Sequence, residues 1–327
     1  MNDRFIITIG CPEWRQPMLE SLSNKGFDIY IIGEACVPSP FRKLAIRNFL
    51  GCYFVDSSCL DKYKSGVCIF DKKLFLWLIL SRMVSKSFLW GIGKGNNFLV
   101  NKMRAFVSNR SLGIISYMPL NDASFKTAGY IVNSVFSEAK FSWSNSYKLL
   151  FIGGLNKRKR IDVLISALKI CHSLNYYFTL DVIGDGQERN KLERMVQNLN
   201  LSKFVNFHGH ISESCTKADV IKGSFLSVSP GQAGLSILES MSYGIPFLTS
   251  RNAISGGEIK NISDCYNGYL VDDYKDPIEL ALKMIKIKQD ENIEQVSMNA
   301  HDYFTRYANG HDMTKRFLDI VEGGCGS

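Results

Sequence analysis

Histidine is absent from the first 171 residues; the five present fall at 172, 208, 210, 301 and 311. The N-terminal half therefore has no imidazole for acid–base chemistry near neutral pH. Long apolar runs are also lacking. The longest, "LFLWLIL" at 74–80, is seven residues, against the roughly 18 that a bilayer-spanning helix needs. The opening "MNDRFIITIGCPEW" carries Asp3, Arg4 and an apolar run of only five residues, too short for a secretory signal. The expected location is the cytoplasm. No two of the nine cysteines (11, 36, 52, 59, 68, 171, 215, 265, 325) stand in Cys-x-x-Cys spacing, so neither a zinc knuckle nor a thioredoxin-like site is suggested. An odd, scattered set reads as reduced thiols filling small core spaces. No Asp-x-Asp pair offers itself to a metal, and no Gly-x-Gly-x-x-Gly follows the first strand of either half, which argues against a dinucleotide dehydrogenase.

What is present fits a globular chain of two domains. There are 327 residues, 46% of them hydrophobic, and the mean hydropathy is −0.04. The net charge of +8 is unevenly placed. Residues 1–140 hold 18 Lys and Arg against 10 Asp and Glu, whereas 141–327 hold 21 of each. A one-sided positive field favours anionic partners such as phosphorylated ligands or a phospholipid surface. Nucleic acid is not expected, because no binding motif accompanies the charge.

Strand and helix patterns alternate in both halves, the mark of a parallel sheet with crossover helices. In the first half, strands are expected at 5–9, 27–33, 111–118 and 129–135. A helix is expected at 16–25, and a helix plus a short strand within 71–90. In the second, strands are expected at 147–155, 177–186, 204–211, 223–230 and 245–250. "RIDVLISALKICHSL" (160–174) puts Ile161, Leu164, Ile165, Leu168 and Cys171 on one helix face, and a second helix covers 188–201. The polar "KFSWSNS" (140–146) reads as the linker between domains 1–143 and 144–327, with the last helix able to pack back on the first domain. The architecture implied is α/β, two doubly wound domains facing a central cleft.

Two stretches carry chemistry. "SPGQAGLSILESMSYGIPF" (229–247) is a Gly-rich turn feeding a helix that ends at Gly244, and a helix start suits an anion. "GGLNKRKR" (153–160) ends a strand in glycines followed by four cations, a grouping able to hold a diphosphate.

These stretches, with "VIGDGQERNKLE", "VNFHGHIS" and "GGEIKNISDCYNGYLVDD", occur in order over about 125 residues. Together they resemble the donor domain of retaining glycosyltransferases of the GT-B fold, family 4 (group 1). "RQPMLESL", "FLWGIGKG" and "IVNSV" in the first half look like the bacterial surface-polysaccharide branch. The resemblance implies transfer of a sugar from a nucleotide-diphosphate donor to an acceptor hydroxyl with retention, in O-antigen or capsule assembly on a saccharide or lipid-linked saccharide. It places Lys159 and Arg158 on the catalytic diphosphate-binding positions. Donor-binding positions would be Gly10, Gly153, Gly154, Gly209, His210, Gln232, Ala233, Gly234, Leu235, Ser236, Glu239 and Glu258. Ala233 to Ser236 would offer amides to phosphate, Glu239 would take the ribose, and His210 would lie near the base; His208 is expected to be structural. Arg15, Trp90 and Lys94 would lie on the acceptor side. The last block would form a Gly-rich turn and an Asn-Gly hairpin. No cofactor and no metal are expected.

The sequence departs from the family at three points. Gly231 stands where a second Glu is common, Gly154 where Arg is common, and Ile92 where many relatives carry His. The donor sugar would then be held by Gln232 or Glu258, with the leaving phosphate taking the acceptor proton. A nucleotide-sugar epimerase, or a non-catalytic sugar-nucleotide-binding protein, are the alternatives. Lys72, Lys73, Trp77, Arg82, Lys86 and Trp90 mix cations with interfacial aromatics, an expectation of peripheral attachment to the inner face of the cytoplasmic membrane.

Overall fold

Alternation of side chains along a buried strand sends neighbours to opposite faces. In β1 (Arg4–Ile9), Phe5 and Ile7 join one apolar cluster and Ile6 another, so both faces of this strand are covered. The computed structural model describes residues 3–323 except 13–14, 92–96, 118, 132–133, 136, 138 and 274. Ile92, Lys94 and part of the expected strand 129–135 lie outside the described residues.

Residues 1–136 and 310–327 form one compact unit and 137–309 a second. The first continues with α1 (Gln16–Asn24), β2 (Phe27–Ile32), β3 (Arg42–Lys43), β4 (Ile46–Phe49), β5 (Cys52–Val55) and β6 (Ser65–Ile69). Then come α2 (Phe75–Leu80), β7 (Ser87–Gly91), α3 (Phe98–Ser108), β8 (Gly113–Ser116) and β9 (Thr127–Tyr130). Its seven-stranded sheet has the order β3-β2-β1-β6-β7-β8-β9, every pairing parallel, while β4 and β5 form a separate antiparallel hairpin.

The second unit contains β10 (Lys148–Ile152), α4 (Ile161–Ser173), β11 (Thr179–Ile183), α5 (Arg189–Asn198), β12 (Val205–Gly209) and α6 (Ser214–Ile221). These are followed by β13 (Leu226–Val228), α7 (Ser236–Ser242), β14 (Phe247–Ser250), β15 (Gly268–Val271), α8 (Pro277–Lys288) and α9 (Ile293–Tyr303). The sheet order β12-β11-β10-β13-β14-β15 is all parallel, the Rossmann order counted from β10. All five residues expected on the inner face of α4 are buried. The last helix, α10 (Gly310–Gly323), belongs to the first unit, where Met313, Phe317 and Val321 join the cluster of Trp90 and α1.

Three expectations are corrected. The stretch 140–146 is tied into the second unit: Ser142 N donates to Tyr243 O (3.0 Å), Trp143 Nε1 to Phe225 O (2.9 Å) and Ser146 Oγ to Gly223 O (2.8 Å). Its polar groups serve a backbone they pack against, so polarity there does not mark a linker. Asn267-Gly268 leads into β15, which runs parallel to β14, so no hairpin forms there; the Asn267 side chain instead braces Ser263 N and Asn261 O. Of the cysteines, Cys68 and Cys171 are buried, whereas Cys36, Cys59, Cys215 and Cys265 are exposed.

Candidate active site at the switch point of the second sheet

In an open parallel sheet, ligands bind beyond the strand carboxyl ends where the strand order reverses. In the second unit that point lies between β10 and β13, and two turns meet there.

The turn after β10 starts at Gly153, with φ of +148°. A Cβ there would stand 3.2 Å from Cε and Nζ of Lys159, so the glycine leaves room for the ammonium. Asn156 Oδ1 accepts from Arg158 N (3.1 Å) and starts one 3₁₀ turn over Lys157–Lys159. Arg160 then adopts φ +54°, ψ +44°, a left-handed conformation costing a non-glycine residue about 1 kcal/mol. This geometry turns Lys159 inward, 9% exposed, and its Nζ donates to Gln232 O at 3.2 Å. Burial pushes the Lys159 pKa below the usual lysine value; the Glu258 carboxylate opposes that shift and Arg158 adds to it. Arg158 itself is exposed. At Gly154 a Cβ would meet nothing closer than 3.7 Å, so the missing arginine there is not a steric matter.

The turn after β13 is braced from inside. Thr249 Oγ1 donates to Ser229 O (2.8 Å), and Ser229 Oγ to Gln232 O (2.8 Å). Gly231 N donates to Lys159 O (3.2 Å), which ties the two turns together. Ala233 N donates to Ile254 O (3.0 Å), so Ala233 does not offer its amide to a ligand, a correction to the expected set. The amides of Gly234, Leu235 and Ser236 have no acceptor among the described residues. Ser236 Oγ is likewise buried without a partner. Three amides and one hydroxyl thus stand next to the loop carbonyl that holds Lys159, a donor set for an anion.

Gly231 explains the absent carboxylate. A Cβ at this position would stand 2.4 Å from Arg158 O and 2.5 Å from Arg160 Cγ, so no side chain fits while the turn keeps this form. Glu258 accepts from Ser255 Oγ (3.0 Å), and that hydroxyl also accepts from the amides of Gly257 and Ile259 (both 3.1 Å). Glu239, on α7, is ion-paired to Lys217 of α6. Lys217 escaped the sequence reading because nothing in its helix marks it off from other surface lysines.

The "VIGDG" block is a packing device. A Cβ at Gly184 would lie 2.0 Å from Gly153 O, and one at Gly186 2.5 Å from Leu155 O; both glycines let the backbone of the Lys159 turn come close. Gly209, φ +73°, accepts from Gly184 N at 2.7 Å, and His210 beyond it is exposed. His208 Nε2 lies 2.8 Å from Asp181 Oδ1, the structural role expected of it. Asp181 also accepts from Asn206 (3.0 Å) and pairs with Lys148 (3.2 Å). Burial raises its carboxyl pKa, but these partners together hold it below the ordinary aspartate value.

In the first unit, Gly10 (φ +66°) donates its amide to Ile32 O at 3.0 Å, and Glu34 Oε1 occupies the space its Cβ would enter. Trp90 is 0% exposed on the interior strand β7, its ring 5.4 Å from that of Phe317. Arg15 is also buried, its guanidinium 5.2 Å from the Trp90 ring and Nη1 donating to Thr8 Oγ1 at 2.9 Å. Neither side chain is placed to meet an acceptor. Trp77 is buried too, so neither tryptophan is an interfacial anchor. Among the described residues no three of His, Cys, Asp and Glu gather as a metal site, and no helix is long and apolar enough to cross a membrane.

The family described as "Glycosyl transferases group 1" matches residues 136–308. The GtfA subunit of a UDP-N-acetylglucosamine–peptide N-acetylglucosaminyltransferase from Streptococcus pneumoniae is 26% identical over 182 residues, 53% of this chain and 34% of that one. An uncharacterized glycosyltransferase of Methanocaldococcus jannaschii is 27% identical over 199 residues, 60% of this chain and 51% of that one. The chain therefore spans about a third to a half of the curated relatives it matches. The Anabaena HepE structure in complex with UDP superposes with a TM-score of 0.77 at 15% identity, covering 99% of this chain and 100% of that one. Sucrose-phosphate synthase from Thermosynechococcus elongatus gives 0.70 at 14%, covering 98% of each. Likeness at such identities establishes the fold, which is GT-B. With more than half its length inside the family match, the chain belongs to the group 1 glycosyltransferases.

Proposed function

We propose that this protein is a retaining hexosyltransferase that takes a sugar from a nucleotide-diphosphate donor and gives it to an acceptor hydroxyl. The observation that carries the reading is the buried Lys159 ammonium held at Gln232 O, two residues before a run of three amides without acceptors among the described residues. A diphosphate on those amides would meet a cation whose desolvation makes an anionic partner favourable. Arg158, exposed on the same turn, adds a bidentate donor. Glu239 accepts hydrogen bonds from the ribose hydroxyls and shares them with Lys217. With Gly231 bare, Gln232 and Glu258 take the sugar.

The reaction runs without a separate side-chain base. The acceptor oxygen bonds to the anomeric carbon on the face from which phosphate departs. The bond from that carbon to the phosphate oxygen breaks, and the acceptor proton passes to the departing phosphate. Products are the glycoside, with its configuration kept, and the nucleoside diphosphate. Lys159, Arg158 and the amides stabilise the charge that develops on the leaving group, and no metal is called on to do so.

Uridine is the first base to try, because HepE was crystallised with UDP and with glucose, and the streptococcal relative is named for UDP-N-acetylglucosamine. The positive excess of residues 1–140 supports an acceptor carrying phosphate, such as a lipid-linked saccharide in surface-polysaccharide assembly. The test is calorimetric titration with UDP and GDP, then turnover with a panel of nucleotide sugars in EDTA. A sugar product with inverted configuration, or no binding of any nucleoside diphosphate, contradicts the reading.

A further inference from the structure

Helix α3 is amphipathic with its apolar stripe turned outward. Val107 is buried, and Arg104 lies half-buried with its guanidinium 5.9 Å from the Phe70 ring. The same helix exposes Leu99 (70%), Met103 (46%) and Phe106 (44%), spaced as one helical stripe. Helix α2 packs against both α3 and β5 and exposes Leu80 (70%). The β4–β5 hairpin tip adds Leu50, 88% exposed and held at φ +49°, a backbone state that a leucine adopts at a cost. Exposed apolar side chains gathered on neighbouring elements mark an interaction site.

Its charge is mostly positive, with Asp56 and Asp71 the acids that border it. Segments 46–55, 72–82 and 98–110 contain no Asp or Glu, but they carry Arg47, Lys72, Lys73, Arg82, Lys102 and Arg110. Two of these cations stand on exposed rings: Lys102 Nζ is 4.6 Å from the Phe98 centroid and the Arg110 guanidinium 3.5 Å from that of Phe106. Aromatic and aliphatic groups next to these cations match a layer that is apolar below and phosphate-rich above.

We propose that this face of the first unit docks on the surface of an anionic phospholipid bilayer. Leu99, Met103 and Phe106 enter the boundary between headgroups and acyl chains, and the surrounding cations meet lipid phosphate. A second copy meeting the same face would bring like charges together. An anionic bilayer supplies both the apolar depth and the opposite charge. The surface involves none of the residues placed in the donor site, so its failure and that of the transferase reading are separable.

The experiment is flotation of the full chain with vesicles of phosphatidylcholine alone or with about a third phosphatidylglycerol, at low salt and at roughly 0.5 M salt. Binding to the anionic vesicles at low salt, weakened by salt, is expected. Leu99→Ser with Phe106→Ser reduces it by about tenfold or more. Lys102→Glu with Arg110→Glu reduces it on anionic but not on neutral vesicles. Circular dichroism melting, unchanged in both, excludes misfolding as the cause. Absence of binding to anionic vesicles at low salt overturns the proposal, as does binding that neither double variant weakens. A dimer that light scattering detects and both variants abolish also overturns it, by making the face a contact between copies.

Discussion

The ammonium of Lys159 donates to the carbonyl of Gln232 at 3.2 Å, and Gly231 N returns a hydrogen bond to the Lys159 carbonyl at the same length. One residue thus fastens the two turns of the switch point to each other while placing a cation at the Gln232 carbonyl. Replacing Lys159 with alanine removes a preorganised charge from the leaving group. Transfer should fall by a factor on the order of 100 or more, with UDP affinity down by about tenfold or more. Initial rates and calorimetry on one preparation measure both.

The depressed pKa of Lys159 gives a pH signature. Only the protonated amine attracts phosphate. Affinity should therefore hold at low pH and fall as pH rises through a value below that of an ordinary lysine. For the free protein the sign reverses. The unfolded chain binds the proton more tightly, so stability contributed at this site grows with pH across the same window. Lys159→Arg should flatten the binding profile, as UDP titrations between neutral and alkaline pH will show.

Gly231→Glu, which restores the commoner family residue, should weaken the protein rather than improve it. A Cβ there meets Arg158 O at 2.4 Å, and that carbonyl belongs to the turn carrying Lys159. A cost of about 1–3 kcal/mol is expected from crowding of this kind, together with reduced UDP affinity. Gly231→Ala should show most of the same loss, which thermal melts with and without UDP will separate from any effect of charge.

Asp181 joins Lys148, Asn206 and His208 beneath α6, away from the proposed chemistry. Asp181→Ala leaves two cation-capable partners without their carboxylate and should cost about 3 kcal/mol. Since the folded pKa is depressed, the pair's contribution is complete above the unfolded aspartate value and is lost as pH falls through the lower folded one. Urea unfolding of wild type and variant near pH 7 and near pH 3 should show the gap closing in acid.

Much of the second unit was legible because local signals and tertiary structure agree. Five apolar positions of α4 repeat at helical spacing and all are buried, and glycines mark the ends of β10 and β11 where backbones approach closely. Four cations after a Gly-Gly turn were legible as a group, and the fold buries Lys159 among them. Ala233 could not be read in this way, because the fate of its amide depends on Ile254, brought alongside by a loop distant in sequence. Lys217 and Glu239 meet across two helices whose relative phase no local pattern encodes. Trp90 and Trp77 misled because an aromatic in an apolar segment has the same pattern in a core as at a membrane surface. The outward stripe of α3 was hidden because spacing defines a stripe without saying which way it faces.

The central claim is most directly tested by a crystal soaked with UDP. The account predicts diphosphate density within about 3 Å of the Lys159 ammonium and of the Gly234, Leu235 and Ser236 amides. Diphosphate bound elsewhere, or bound with those amides still facing protein or solvent, would contradict it.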